Sequence, residues 1–445
     1  MKVLLGGIPL GCDNIGDEAI IACVVKMLRQ SLPGVELTVA TADPKTADLL
    51  GVEVVPPFGF AGYSVTGFAD AVGRFDAYVW CGATGLSDYP HVALDLLEVA
   101  QRMRVPTFVW GVGMDDELNP AFFRAAGRRR RLLSLLGLVG VYEWFLRRRL
   151  ARRLQAILPK CRSVWLRDPQ SAEMLRSLGV EPTGIAADTA ILLDRPDAIP
   201  LPSVKTLGLC LSAQRQVSDL EGVRRLIAAV RNAGYRVLGI PMNPKTDRDL
   251  LTSLGVEPIP GNTPAAVAAA AAGCSVVLSS RLHLLILAAN VGTLGLGIAR
   301  GSKLANWLSN FGRTVEGCVS ACDWQKVTRH VLAELADTGT WMQDRARAYE
   351  ALHVRLRLGC ESLCAQLQTI GTRTRAANEI EKVRGVVEND GVRLSRCSAC
   401  AIGDSIPPAE AAQHRRLPDD QERVPGGGEV AQRLEDQYLE DRNAT

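Results

Sequence analysis

Short apolar runs alternate with segments of helical amphipathic spacing along most of this chain, from residue 3 to about residue 310. The apolar runs predict buried strands at 3–5, 36–40, 52–55, 76–81, 106–110, 206–211, 236–240, 257–259, 274–278 and 293–298. Helices are predicted at 17–32, from the loop at 82–85 to about 103, and at 219–233, 246–254 and 264–272. Repeated strand–helix units of this kind build largely parallel sheets covered by helices, which predicts a doubly wound α/β fold.

A proline-rich break at 195–202 divides this series, and a fresh run of strands and helices begins at Thr206. Because 445 residues exceed what one hydrophobic core usually supports, we expect two α/β domains. Their predicted bounds are 1–198 and 203–370, the second with closing helices. Segment 371–445 is rich in charge, Gly, Pro and Gln, which predicts a disordered tail.

Segment 124–153 departs from the pattern, because about 15 mainly apolar residues, with Tyr142 and Trp144 among them, lie between two clusters of arginine. At roughly 1.5 Å per residue this run is too short to cross a bilayer. It suits an element lying in the interface of an anionic membrane, and the alternative is a surface helical hairpin with solvated arginines and a buried apolar face. The run lacks the polar groups that read bases, so we expect no nucleic acid partner.

Composition indicates a compartment more than a partner. The content of 47% hydrophobic and 22% charged residues is typical of a globular protein, and a net charge of +3 is too small to indicate a partner. The twelve cysteines are scattered, which favours free thiols and a cytoplasmic protein. A zinc site at Cys360 and Cys364 or at Cys397 and Cys400 is the weaker alternative, and we expect no metal.

The first twelve residues allow two interpretations. They end in Leu10-Gly11-Cys12 and imitate a lipoprotein signal, but Gly6, Gly7 and Pro9 interrupt the apolar core. A first strand followed by a glycine-rich turn explains the same residues, and we prefer this interpretation to the lipoprotein signal. No stretch of 18 or more apolar residues is free of charge, so no membrane-spanning helix is predicted.

Arg281 and His283 are the strongest candidates for chemistry. They follow the predicted strand 274–278 and precede an uninterrupted helix-forming segment, so they should lie at a strand-to-helix turn. Ligands bind at such turns in open α/β sheets, near helix N-termini that attract anions. Arginine suits a carboxylate or phosphate and histidine exchanges a proton near neutral pH, although both residues could also be structural.

Three further motifs accompany this turn. The order is Asn14-x-Gly16-Asp17, then Arg167-Asp168-x-x-Ser171, then Ala187-Asp188, then Ser280-Arg281-x-His283. In this order the chain resembles the polysaccharide pyruvyl transferase family over roughly residues 1–320. The resemblance implies two Rossmann-like domains that face each other across a cleft, the GT-B arrangement, with the acceptor on the N-terminal side and the donor on the C-terminal side.

The resemblance also implies a reaction, the transfer of pyruvate from phosphoenolpyruvate to two hydroxyls of one sugar, forming a cyclic ketal and releasing phosphate. No metal or organic cofactor is required. Arg281 would bind phosphoenolpyruvate, and His283 would be the general acid or a donor to the leaving phosphate. Arg167 would be a second cation reaching across the cleft, with a structural Arg–Asp pair as the alternative.

The same resemblance places substrate-binding residues on both sides of the cleft. Asp17 could accept a hydrogen bond from a sugar hydroxyl, and Gly16 would let a ligand approach, although an N-cap role for Asn14 or Asp17 is the alternative. Lys303 could add charge at the phosphate or be a surface lysine. The family pattern has successive glycines and then an acid after the third strand; here Asp88 could take the place of that acid after an altered loop.

The altered loop and the arginine-rich segment leave the acceptor open, as a sugar of a polysaccharide or of a lipid-linked glycan. They also leave open peripheral association with the inner face of the cell membrane. The oligomeric state is not predicted. The rival functions are a nucleotide-sugar glycosyltransferase of GT-B type, which would need a ribose-binding acid that 284–291 lacks, and a non-catalytic membrane-associated scaffold in polysaccharide assembly.

Overall fold

The computed structural model describes residues 1–116, 118–119, 123–125, 127–196, 204–214 and 217–389, with the side chains of 129 and 373–389 left out of the description. The predicted domain boundary, between 198 and 203, lies outside the described residues, as do Cys397, Cys400 and the predicted tail beyond 389.

The first half of the chain forms a sheet of seven parallel strands in the order β3-β2-β1-β4-β5-β6-β7. The strands are β1 Lys2–Gly6, β2 Glu36–Ala40, β3 Glu53–Val55, β4 Ala77–Cys81, β5 Thr107–Val112, β6 Ser163–Leu166 and β7 Gly184–Ile185. β1, β4 and β5 are almost wholly buried, as expected for apolar strands covered on both faces.

Seven α-helices accompany this sheet in the described residues. They are α1 Ile15–Ser31, α2 Lys45–Leu50, α3 Phe68–Val72, α4 Pro90–Arg102, α5 Gly127–Leu135, α6 Val139–Ile157 and α7 Pro169–Ser177. Helices α2 and α3 were not predicted. Helices α5 and α6 form a hairpin in the arginine-rich segment, and its described apolar residues near the turn are largely exposed, unlike the buried face of the predicted alternative.

The second half forms a sheet of five parallel strands in the order β12-β11-β10-β8-β9. The strands are β8 Thr206–Cys210, β9 Arg236–Gly239, β10 Val276–Ser279, β11 Leu294–Ala299 and β12 Gly317–Cys318. The helices are α8 Leu220–Asn232, α9 Asp247–Ser253, α10 Pro264–Ala272, α11 Leu282–Val291, α12 Ser302–Ser309, α13 Trp324–Ala336 and α14 Trp341–Asn389.

Two differences from the predicted elements have local causes. The run predicted as a strand at 257–259 contributes only an isolated bridge between Gly239 and Pro258, because proline cannot donate to a ladder. The last helix, α14, continues through the first residues of the predicted tail to Asn389. Its buried face, which includes Leu352, Leu356 and Leu363, belongs to the core.

Both sheets reverse strand order at a point where ligands commonly bind. In the first sheet β1 lies beside β4, so the loops after these strands diverge, and in the second sheet β8 lies beside β10. In open α/β sheets the crevice at such a reversal, outside the carboxyl ends of the strands, is the usual binding site. The topology therefore places the loops after β1, β4, β8 and β10 at candidate sites.

Candidate functional site

A cleft of ≈ 240 Å³ lies between the two halves of the chain. Its walls come from the loops after β1, β4 and β6 in the first half and from the loops after β8, β9, β10 and β11 in the second. Its charged lining residues are Asp17, Asp88, Arg167, Arg281, His283, Arg300 and Lys303. Seven of the eight site residues predicted from the sequence line this cleft, and Gly16 lies directly behind it.

Arg281 lies at the N-cap of α11, as the strand-to-helix turn predicts. Its Nε and Nη2 atoms donate to the two carboxylate oxygens of Asp247 at 3.1 and 2.7 Å. The Asp247 carboxylate is fully buried and also accepts from the backbone amides of Ala213 and Asn243. These two hydrogen bonds hold the guanidinium of Arg281 in one orientation. Its Nη1 atom takes no part in the pair with Asp247, and the Arg281 side chain lines the cleft.

His283 lies one residue into α11 and faces α1 of the other half. Its Nε2 is 3.5 Å from Oδ2 of Asp188, whose side chain also caps the short 3₁₀ helix Thr189–Leu192. Although burial opposes it, the pKa of Asp188 lies below its ordinary value, because His283 and then Arg167 stabilise the carboxylate. Asp188 therefore lies within ion-pair distance of the His283 ring.

Arg167 is buried at the end of β6, where its Nε donates to Asp168 at 3.1 Å and its Nη1 is 3.6 Å from Asp188. The predicted alternative, an Arg–Asp pair, is therefore present, but Arg167 also lines the cleft. Its Nη2 is buried with no hydrogen-bond partner among the described residues. A buried donor without a partner is costly, which indicates a place for a ligand.

Lys303 lies in the first turn of α12, and its Nζ is 3.9 Å from Oδ2 of Asp88 across the cleft. Burial and the charges of Arg300 and Arg167 lower the pKa of Lys303 against the opposing effects of Asp88 and Asp115. Lys303 is therefore not a surface lysine. Together with Arg167, Arg281 and Arg300 it surrounds the cleft with positive charge, which suits an anionic ligand.

Asn14 caps α1, because its side chain accepts from the amide of Gly16 and donates to Asp17 at 2.8 Å. The N-cap alternative predicted for this residue is present, and Asn14 lines the cleft as well. Gly16 has a different role from the predicted one. A Cβ at this position would lie 1.9 Å from Nδ1 of His283, so glycine lets the histidine ring, rather than a ligand, pack against the helix.

Asp17 is a buried carboxylate at the start of α1. Burial raises its pKa from 3.8 to about 6, against the opposing effects of His283 and Lys303. Because the folded state holds the proton more tightly than the unfolded state, the free energy of unfolding falls as pH rises from about 4 to about 6 and stays lowered above that. A buried carboxylate whose charge lowers the stability of the protein is typical of a functional site.

Replacement of Asp17 by asparagine is expected to stabilise the protein near pH 7. The charged form is disfavoured by about 3 kcal/mol at 1.36 kcal/mol per pKa unit, and asparagine keeps an acceptor for Asn14. Urea unfolding of both proteins should give equal free energies near pH 3.5 and a gap that grows to pH 7. A gap that does not change with pH would show that the charge of Asp17 is not the cause.

Asp188, Asp247 and Arg300 were not among the predicted site residues. Asp188 could have been included, since it lies in one of the four motifs. Asp247 gave no signal, because it begins an ordinary charged helix 34 residues before Arg281. Nothing in the sequence around Arg300 distinguished it, and its Nη1 donates to Ser212 at 2.6 Å.

The two halves also touch beside the cleft. The amide and hydroxyl of Ser302, at the start of α12, donate to the carboxylate of Asp115 at 2.6 and 2.8 Å. Gly301 permits this contact, because a Cβ there would lie 2.5 Å from the same carboxylate. A carboxylate at a helix N-terminus is a favourable arrangement, so this contact helps to fix the two walls of the cleft.

Two solved structures share this architecture at low sequence identity. A putative UDP-N-acetylglucosamine 2-epimerase from Listeria monocytogenes matches with a TM-score of 0.52 and 9% identity, over 78% of this chain and 90% of that chain. The UDP-GlcNAc 2-epimerase from Neisseria meningitidis bound to UDP-GlcNAc matches with a TM-score of 0.51 and 12% identity, over 83% and 100%. At these identities the likeness shows the fold alone, which is GT-B-like as predicted.

The family follows from the sequence. The profile of the polysaccharide pyruvyl transferase family matches residues 14–302, which hold all four motifs and most of both sheets. This chain belongs to that family, which makes it a transferase of polysaccharide biosynthesis. No curated protein matches its sequence.

Two further findings concern the described residues only. No group of three or more His, Cys, Asp or Glu side chains in this part of the chain could hold a metal ion. No described helix is both long enough and apolar enough to span a membrane.

Proposed function

We propose that this protein transfers pyruvate from phosphoenolpyruvate to a sugar of a polysaccharide or lipid-linked glycan, forming a pyruvate ketal and releasing phosphate. One observation carries this proposal: Arg167, Arg281 and Lys303 converge from separate elements on a cleft that also holds His283. Phosphoenolpyruvate has a carboxylate and a phosphate, so it requires several cations, and its methylene carbon requires a proton donor.

The reaction balances with the groups of this cleft. The two sugar oxygens form bonds to the central carbon of the enolpyruvyl group, the bond from that carbon to the phosphate oxygen breaks, and the methylene carbon becomes a methyl group. Of the two hydroxyl protons released, one replaces the proton given to the methylene carbon and the other leaves with phosphate. No metal or organic cofactor is needed for these steps.

In this proposal His283 is the general acid, because its imidazole lines the cleft and lies beside the carboxylate of Asp188. Arg281 binds the anionic donor with the part of its guanidinium that Asp247 leaves uncovered. Arg167 and Lys303 stabilise the phosphate as it leaves. Asp17 and Asp88, on the first-half side of the cleft, accept hydrogen bonds from the sugar hydroxyls.

The rival nucleotide-sugar function has the fold in its favour but lacks a group it would need. A GT-B glycosyltransferase would be expected to hold the nucleotide ribose with an acid in the helix after the Arg281 turn. In α11 the residues 284–290 are buried and apolar apart from Asn290, and none is acidic. This observation favours phosphoenolpyruvate as the donor.

Thermal unfolding with added ligands tests the proposal. A ligand at 100 times its dissociation constant stabilises a protein by about 2.7 kcal/mol, a clear rise in the unfolding temperature. We expect a rise with phosphoenolpyruvate and none with UDP-N-acetylglucosamine. The reverse would favour the glycosyltransferase, and no rise with either would favour a non-catalytic scaffold.

Replacement of Gly16 by alanine is expected to lower turnover by roughly 100-fold, the usual effect of misplacing a catalytic group by about 1 Å. The new Cβ cannot lie 1.9 Å from Nδ1 of His283, so the ring must move. Phosphate release measures the rate, and thermal unfolding confirms that the variant folds. Gly140→Ala is the control, since no atom lies within 4 Å of its Cβ. Wild-type turnover in Gly16→Ala would contradict the role assigned to the ring.

A further inference from the structure

The hairpin of α5 and α6 exposes an unusual number of apolar side chains near its turn. Seven of the sixteen large hydrophobic side chains that are exposed in the described residues lie within residues 132–145. They are Leu132, Leu135, Leu136, Leu138, Val141, Trp144 and Phe145, between 42% and 86% exposed. A contiguous exposed apolar patch of this kind marks an interaction surface.

Each helix contributes a stripe to this patch. Leu132 and Leu135 have the i, i+3 spacing that places side chains on one face of α5, and Leu136 follows directly after this helix. Val141, Trp144 and Phe145 have the i, i+3, i+4 spacing on α6. The two stripes and Leu138 thus flank the turn at Gly137, and we refer to these seven exposed side chains as the apolar tip.

The base of the hairpin is fixed to the first half of the chain. Leu150, Leu154 and Ile157 of α6 are buried. Arg153 donates to Asp95 at 2.6 Å and lies 3.4 Å from Glu98, both on α4. The hairpin is thus anchored at one end, while the apolar tip projects away from the core.

The charge around the apolar tip is almost entirely positive. Residues 127–157 contain nine arginines, one acidic residue, Glu143, and no lysine. The described arginines that are exposed are Arg128, Arg130, Arg131, Arg147, Arg148, Arg149 and Arg152. They precede and follow the apolar tip in the chain. At 1.5 Å per residue, roughly 10–15 Å of helix separates each arginine cluster from the turn at Gly137.

We propose that the hairpin docks this protein on an anionic membrane surface, with the apolar tip in the interface and the arginines at the lipid headgroups. Interfacial elements bury their apolar residues about 5–10 Å deep, which the tip can do while the arginines stay level with the headgroups. Trp144 and Phe145 suit this boundary, and Arg148 lies over the Trp144 ring at 5.1 Å. A nucleic acid would match the charge but would leave the leucines exposed.

The hairpin is also connected to the cleft. The amide of Ala125, just before α5, donates to Glu143 on α6 at 3.3 Å. A few residues earlier, the side chain of Asn119 donates to the backbone carbonyl of Asp88 at 3.1 Å. Asp88 lines the cleft, so the segment before the hairpin contacts the cleft wall. The docking itself does not depend on the proposed reaction.

Sedimentation of the full chain with vesicles tests the docking. We expect binding to vesicles of phosphatidylglycerol and phosphatidylcholine, and little to phosphatidylcholine alone. The triple variant Leu135→Ser, Leu136→Ser, Phe145→Ser should lower the partition coefficient at least tenfold. The triple variant Arg147→Gln, Arg148→Gln, Arg149→Gln should lower it on the order of 100-fold, since each arginine near an anionic surface contributes about fivefold.

Matched variants elsewhere should leave the partition coefficient unchanged. The apolar control is Leu49→Ser, Met342→Ser, Leu358→Ser, three exposed side chains outside the hairpin. The charge control is Arg224→Gln, Arg225→Gln, Arg329→Gln, three exposed arginines of the second half. Thermal unfolding of every variant confirms the fold.

Trp144 gives a second readout that reports insertion directly. It is 56% exposed, whereas the other six tryptophans are buried or half-buried. Brominated lipids should quench part of the fluorescence of the wild type and none in Trp144→Phe. Absence of binding by the wild type, binding that the apolar triple variant retains, or unquenched Trp144 would each overturn the proposal. So would a dimer that the apolar triple variant dissociates in the absence of vesicle binding.

Discussion

Replacement of His283 by alanine is expected to lower the rate of pyruvyl transfer by about 10² to 10⁴, the usual contribution of a positioned general acid. In the proposed reaction the methylene carbon must gain a proton as the ketal forms. His283 lies beside Asp188, at 3.5 Å, and is held against Gly16. Arginine does not give up its proton in proteins, so the arginines of the cleft cannot replace the imidazole.

The same variant should keep its affinity for phosphoenolpyruvate, because the cations that bind the donor stay in place. Phosphate release in the presence of a sugar acceptor measures the rate, and calorimetry measures the affinity. His330→Ala is the matched control, since that histidine contacts Glu316 and Glu334, residues that do not line the cleft. Turnover at the wild-type rate in His283→Ala would exclude this residue as the acid.

Replacement of Arg281 by alanine is expected to have two effects. It should abolish phosphoenolpyruvate binding, and it should lower the free energy of unfolding by about 3–5 kcal/mol. The second effect follows from Asp247, whose fully buried carboxylate would lose its two charged hydrogen bonds. Urea unfolding measures the stability, and calorimetry the binding.

A double variant separates these effects. In Arg281→Ala, Asp247→Asn the unpaired buried charge is gone, so part of the lost stability should return, while the affinity for phosphoenolpyruvate should not. Asp247→Asn alone should keep measurable affinity, because Arg281 remains. Restored binding in the double variant would mean that Arg281 acts through the fold and does not contact the donor.

Much of the fold could be predicted because its strands are short, apolar and buried on both faces. The strand predicted at 36–40 and the helix predicted at 264–272 have the observed bounds. The strand–helix turn at Arg281 followed from the same pattern. The strand predicted at 257–259 is only an isolated bridge, and the prediction was wrong because a proline next to apolar residues still gives the pattern of a strand.

The candidate site was predictable in its members but not in its internal contacts. Strand ends of a parallel sheet meet at one edge, so the positions of Asp17, Asp88 and Arg281 follow from the topology. The pairing of Arg281 with Asp247 depends on how two loops pack, which no local pattern records. For the same reason Gly16 suggested a ligand contact, whereas the structure places His283 against it.

The arginine-rich hairpin shows where sequence patterns leave a choice open. The apolar stretch within 124–153 fits a hairpin with a buried apolar face equally well, because amphipathic spacing does not say what covers the face. In the structure Leu135 and Trp144 are exposed, so the described residues of this chain do not cover the apolar face. Whether a bilayer covers them is the subject of the vesicle experiment.

Calorimetric titration of phosphoenolpyruvate into the wild type and into Arg281→Ala, Asp247→Asn tests the central claim most directly, that the cleft binds this donor. We expect saturable binding to the wild type with a stoichiometry of one per chain, and none to the double variant, with UDP-N-acetylglucosamine giving no binding to either. Binding of UDP-N-acetylglucosamine in place of phosphoenolpyruvate, or equal binding of phosphoenolpyruvate to both proteins, would contradict it.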